Sequence, residues 1–337
     1  MKSVGLTVGY GTIVALALIG QLLPVPDTNR SIPLILLALQ LGFFIALFRP
    51  LSRIIRREPD WFAQTIDDLR RNWPWLLATA LVYISLALTL EAGTGIKKSI
   101  SLNNPFYADA FLIDLDRRVF GTDPWHLTHA VLGWATPAIS GAYVLWQAVQ
   151  IGLGLLIAFS FDDAVRIRFA LCFQLAWLLI GGAMATAFSS VGPIMVGHFY
   201  GDSSFDPLIA TVGRDAPQVL QIRDMLIGTL ADPTVVSGIS AMPSMHVAIS
   251  VLFALFVARF GKPVLTGIAW AYALLIYVGS IHLGWHYASD GVVSALCIVA
   301  IWWLTGRYVA WLETLAPASV RDGASAEQER ASPTGLT

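Results

Sequence analysis

Two histidine-bearing runs stand at the starts of apolar stretches: Ser240-Ala-Met-Pro-Ser-Met-His246, and His282-Leu-Gly-Trp-His286-Tyr-Ala-Ser-Asp290-Gly. Pro243 suits the first position of a helix, where its missing N–H would go unpaired anyway. The backbone N–H groups of Ser244, Met245 and His246 then head that helix, where the macrodipole favours an anion such as phosphate. Ser244 adds a hydroxyl donor. A step of four residues from His286 to Asp290 places both on one helix face. The carboxylate can then fix the imidazole tautomer and leave the other ring nitrogen as a nucleophile or base. A second histidine facing it, His246, can protonate a leaving oxygen, so the parts suit phosphoryl transfer. Asp290 also sits at the edge of an apolar run, where an ionisable group is costly enough to be functional by default; Glu91 shares that argument more weakly.

Bland roles compete for the other histidines. His126, His129 and His198 have no evident partner and read as interfacial residues. His282, His286 and Asp290, at steps of four, could instead be metal ligands on one face. Gly284 and a helix start near Tyr287 weaken that alternative, since they put His282 in the preceding turn, and neither metal nor cofactor is expected.

The elements that must hold these residues are membrane spans. Hydrophobic residues make up 56% of the 337 and charged ones only 13%, and mean hydropathy is +0.68. Eight stretches, near 4–24, 31–49, 74–93, 135–160, 170–188, 243–260, 263–281 and 287–307, reach the roughly 17–25 residues that cross a hydrocarbon core. The expected fold is therefore all-α: a polytopic helical bundle of about eight spans, with the catalytic core in the last four to five. A net charge of −1 excludes nucleic-acid binding, which shows a basic stripe. The first stretch, soon followed by another, reads as a retained anchor rather than a cleaved signal. Cys172 and Cys297 fall inside spans and behave as small apolar residues.

With the N-terminus inside, fourteen of the 21 basic residues fall on inner segments, Arg166 and Arg168 among them, as the positive-inside bias requires. All six histidines then lie at the outer face or its edges. The inner segment 51–73 carries Trp61, Phe62, Ile66 and Leu69 at the spacing of an interfacial amphipathic helix. Segment 91–134 reads as a partly helical outer cap, and 189–242 as a second outer segment rich in Gly, Pro and Asp. Three regions result: spans with the amphipathic helix and cap over 1–164, a core over 165–310, and a disordered inner tail over 311–337.

At its two histidine runs the chain resembles the type 2 phosphatidic acid phosphatase superfamily of integral-membrane lipid phosphatases and phosphotransferases, over roughly 165–310. The family's Pro-Ser-x-His is matched by Pro243, Ser244, Met245 and His246, and its His-x3-Asp by His286 and Asp290. The resemblance implies that His286 is the nucleophile forming a phosphohistidine, Asp290 orients it, and His246 serves as acid and base. Two family features depart. No Lys-x6-Arg-Pro run precedes His246, the nearest candidate cations being Arg214 and Arg223, and Gly279-Ser280 stands where the family has Ser-Arg. Ser244, Met245, Tyr287, His282, Arg214 and Arg223 complete the expected substrate contacts.

The His-Tyr-x2-Asp wording and the Pro-Ser-Met-His variant look closer to the inositol phosphorylceramide synthase and sphingomyelin synthase branch, which transfers phospho-headgroups between lipids. Charge agrees: a phosphodiester bears one negative charge and a monoester nearly two, so fewer cations suit a diester. The expectation is a bacterial inner-membrane enzyme whose site faces the periplasm or exterior. It would move an inositol phosphate-like headgroup from a phospholipid to a lipid acceptor. The alternatives are a phosphatase of lipid or polyprenyl phosphates that uses water, and an inactive transporter or scaffold.

Overall fold

The computed structural model describes residues 4–23, 53–160, 162–230, 232 and 238–315. Every regular element among them is helical. α1 (Val4–Leu22) packs beside α2 (Trp61–Asn103), and α3 (Asp109–Phe120), α4 (Pro124–Leu132), α5 (Thr136–Val144) and α6 (Trp146–Ala158) follow. α7 (Asp163–Leu175) continues through a π-helical stretch, Ala176–Met184. Beyond it come the short α8 (Val196–Tyr200), α9 (Asp206–Asp215) and α10 (Pro217–Gly228), then α11 (Met245–Ala258), α12 (Pro263–His282) and α13 (Ala288–Thr314).

Six helices or helix runs among the described residues are long and apolar enough to cross a membrane: Val4–Leu22, Trp61–Asn103, Pro124–Ala158, Asp163–Ala187, Pro263–His282 and Ala288–Thr314. The chain is a multi-pass membrane protein of the all-α class. Of the eight expected spans, 31–49 lies outside the described residues, as do most of the 311–337 tail and part of the 51–73 segment. The span expected at 243–260 is a helix of only 14 residues, Met245–Ala258, because the serine that caps it delays its start.

α2 departs most from expectation. Its 43 residues make a rod of about 65 Å at 1.5 Å per residue, roughly twice the hydrocarbon thickness. Residues 61–73 run without a break through Pro74 into the span, and the far end of the helix takes in the first part of the segment expected to be an outer cap. The run around 135–160 is interrupted instead, by a 3-10 turn at Gly133–Ala135 and by Leu145 between α5 and α6.

α11 is the central helix. It touches α12, α13, α6, α7 and the π-helical stretch, and its Ala248, Leu252 and Ala254 are fully buried. Small residues here let helices approach closely, which drives association where lipid tails are as apolar as the core. At the end remote from the histidines, Arg166 is 2% exposed. It is paired with Asp163 and held by the Thr79 hydroxyl at 3.1 Å, while Tyr10 donates to Asp163 at 2.7 Å. This buried ionic cluster ties α1, α2 and α7 together, as a charge in apolar surroundings must be tied.

Candidate active site

Ser244 is the N-cap of α11, accepting from the Val247 N–H at 3.4 Å. Pro243 therefore stands just outside the helix, not at its first position: the serine side chain satisfies a helix-end donor that proline could only have left absent. The first intrahelical bond runs from Ala248 N–H to the Ser244 carbonyl, 3.1 Å, so the amides of Met245 and His246 head the helix. The Met245 side chain turns inward, its sulfur 3.1 Å from where a Cβ on Gly181 would stand.

His286 and Asp290 meet, but not by sharing a helix face. α13 starts after Tyr287, so His286 precedes the helix while Asp290 is its third residue. The Asp290 carboxylate caps the helix start, accepting from Tyr287 N–H at 3.0 Å, and the same oxygen lies 3.3 Å from His286 Nδ1. The Ala241 carbonyl is nearer, 2.8 Å from Nδ1. A carbonyl can only accept, so Nδ1 carries the proton and Nε2 keeps its lone pair. The imidazole of His246 faces His286 with ring centroids 5.8 Å apart. It is sandwiched between Tyr143, at 4.6 Å, and Trp146, at 4.2 Å. Trp146 also donates its indole N–H to the His246 carbonyl at 3.1 Å.

Two carboxylates of α3, which the sequence did not single out, build the floor. Asp116 accepts from the Ala288 and Ser289 N–H groups at 2.6 and 3.1 Å, occupying the start of α13. Burial pushes its carboxyl above the usual range, and those two N–H groups pull it back. Asp109, 1% exposed, accepts from Tyr287 Oη and Tyr200 Oη, each at 2.7 Å, and from the Val191 and Gly192 N–H groups at 3.0–3.1 Å. Gly192 has φ 87°, and a Cβ there would sit 2.5 Å from the Trp285 carbonyl oxygen, so glycine alone lets these loops close. Ser190 completes the frame, its carbonyl and hydroxyl accepting from the Ala241 and Met242 N–H groups at 2.9 Å.

The other expected contacts scatter. His282 lies on the far side of a turn, its Nε2 2.8 Å from the Thr136 hydroxyl and its Nδ1 3.2 Å from that of Thr128. The alternative metal set of His282, His286 and Asp290 is thus not assembled, and no group of three or more potential metal ligands converges among the described residues. His129, expected to lack a partner, stacks on His282 at 3.8 Å and donates to its carbonyl at 2.7 Å; residues so distant in sequence give no sign of meeting. Arg214 is forked onto Asp215, whose carboxyl it holds below the usual range. Arg223 is paired with Asp224 beside a cavity of about 500 Å³ that His198, Asp202 and Asp206 also line.

The cation the sequence reading missed is Lys97. It lies in the C-terminal part of α2 and forms no ion pair among the described residues. Gly238, on the loop leading to Pro243, packs so closely that a Cβ would stand 2.6 Å from the Lys97 carbonyl carbon. Ser101, one turn on, accepts from the Ile239 N–H at 2.8 Å. A faint signal was present: Lys97, six residues, Asn104 and Pro105 keep the lysine and proline of the Lys-x6-Arg-Pro pattern, with asparagine for arginine.

The model of the PAP2 superfamily matches residues 110–304, more than half of the chain. The chain belongs to that superfamily. Membership makes it an enzyme of the phosphatase or phosphotransferase type, acting on lipid phosphate esters. The matched region reaches back beyond the expected 165–310 to take in most of α3 and all of α4 to α6. No curated protein and no solved structure matches the chain.

Proposed function

We propose that this PAP2 enzyme transfers a phospho-headgroup between lipids through a phosphohistidine. His286 Nε2 attacks the phosphorus of a phospholipid diester. The bond to the diacylglycerol oxygen breaks, and that oxygen takes a proton from His246. The acceptor hydroxyl then gives its proton to His246 and attacks the phosphorus, releasing His286. The observation that carries this reading is the pairing of a His286 whose Nδ1 is fixed by Ala241 and Asp290 with a second imidazole 5.8 Å away, centroid to centroid.

Transfer of a singly charged diester is supported by the cations. Arg214 and Arg223 are each engaged by a neighbouring aspartate, which leaves Lys97, without an ion pair among the described residues, as the candidate cation for the phosphate. One ammonium matches a diester better than a doubly charged monoester. Arg166 and Arg168 at the opposite end support a site facing the periplasm or exterior. The test is incubation of purified protein with labelled phosphatidylinositol, other phospholipids and candidate lipid acceptors, wild type against His286→Ala. Headgroup transfer dependent on His286 is the expected result. Phosphatidic acid or a polyprenyl phosphate as best substrate, with water as the sole acceptor, would overturn it in favour of a phosphatase.

A further inference from the structure

Below His246 stands a column of polar side chains that this chemistry does not use. α6 and α11 leave the site side by side. Trp146 on α6 bonds the His246 carbonyl at one end, and at the other Phe256 of α11 packs 5.8 Å from Phe169 of α7, the helix that follows α6. One turn further in, about 5.4 Å, Gln150 lies under Trp146 and Ser250 under His246, on the same helix faces. Gln150 is 5% exposed and Ser250 2%. Yet neither amide atom of Gln150 nor the Ser250 hydroxyl has a hydrogen-bond partner among the described residues, and the hydroxyls of Tyr143 and Tyr272 are equally buried and unpartnered. A turn below Gln150, a Cβ on Gly154 would meet no atom of the described residues within 4 Å.

Unpaired polar groups are costly at membrane depth and persist where they serve a partner. We propose that Gln150 and Ser250 bind the carbonyl linkage joining head to acyl chains in a two-chain lipid, with one chain lying in the space beside Gly154. This rests on the reading of His246 and His286 as the phosphoryl-transfer site. With phosphorus between the two imidazoles, the acyl linkage lies a few bonds along the lipid and about one helical turn deeper. An amide N–H and a hydroxyl can donate to a carbonyl there, whereas an acyl chain offers them nothing.

The experiment measures binding, not turnover, so it stands apart from the proposed reaction. Full-length protein, in both wild-type and His286→Ala backgrounds, is titrated with an ester-linked phospholipid, its ether-linked counterpart lacking the carbonyls, and an N-acyl sphingolipid. Each competes against a spin-labelled phospholipid. The expected wild-type preference for a carbonyl-bearing lipid over the ether is about 5- to 10-fold, the scale of one or two hydrogen bonds. Gln150→Met and Ser250→Ala should reduce it, and the lipid-free melting temperature of both variants should hold or rise because an unsatisfied buried atom is gone. A preference for the ester assigns the site to the donor lipid, and one for the amide to an acceptor. No preference in wild type, a preference untouched by both substitutions, or a lowered melting temperature with all three lipids weakened alike would overturn the proposal. Absence of headgroup transfer would sink the reaction alone.

Discussion

The imidazole of His286 is held by two acceptors that do different work. The Ala241 carbonyl, at 2.8 Å, fixes the tautomer; the Asp290 carboxylate, at 3.3 Å, supplies the negative charge that the proposed phosphohistidine would need. In a serine protease triad the loss of that carboxylate costs about 10⁴-fold, because the tautomer is lost with it. Here the carbonyl keeps the tautomer, so Asp290→Asn is expected to cost only about 10²-fold in kcat, whereas His286→Ala should remove at least about 10³-fold. Equal losses in steady-state kinetics would show that the carbonyl does not do this work. Lys97→Met should raise KM by about 10-fold with kcat changed far less if it grips the ground-state anion, and Lys97→Arg should restore part of the loss. His246, His286 and Asp290 stand out in the sequence because each falls within a short motif, and the fold brings the three together. Lys97 does not, since only the fold brings the C-terminal part of α2 against the Gly238–Ile239 segment that leads to His246. Arg214 and Arg223 looked like the missing cations because a sequence shows Asp215 and Asp224 next to them but not that each arginine turns onto that neighbour.

α3 is a short helix at the histidine end that works through its carboxylates. Asp116 on the first two N–H groups of α13 and Asp109 on the Tyr287 hydroxyl hold the segment that directly follows His286 in place. Removal of an anionic cap from a helix start typically costs about 1–2 kcal/mol. Asp116→Ala is therefore expected to lower the melting temperature of the detergent-solubilised enzyme by several degrees and to depress kcat, although the side chain touches no substrate. Asp116→Asn, which keeps an acceptor, should recover most of the stability. An unchanged melting temperature in the alanine variant would remove this role. Hydropathy located the long spans because twenty apolar residues leave few alternatives. It could not find the end of α2, where Lys97, Lys98 and Ser101 look like loop, nor α3, whose buried aspartates read as surface charge until their backbone partners are seen.

Across the whole molecule the histidine end and the Arg166 end stand opposite each other. Two exposed positions report which end faces out: Trp134, 85% exposed near the site, and Phe260, 58% exposed after α11. In a background lacking Cys172 and Cys297, Trp134→Cys in intact cells should react with an impermeant maleimide and Phe260→Cys should not; the reverse pattern would invert the proposed orientation. The distribution of arginines sets the expected sidedness, whereas the proposed lipid site between α6 and α11 left no sign in the sequence, because Gln150 and Ser250 look like ordinary polar interruptions of a span. The seating of Asp116 also bears on how a substrate is steered. Two helices begin at this site with their positive ends toward it, but α13 arrives already neutralised by Asp116 and Asp290, whereas no carboxylate of the described residues caps α11. An incoming anion thus meets an asymmetric field, attracted from the His246 side and repelled from the floor. It is expected to dock in a single orientation, with its leaving oxygen turned toward the proton donor.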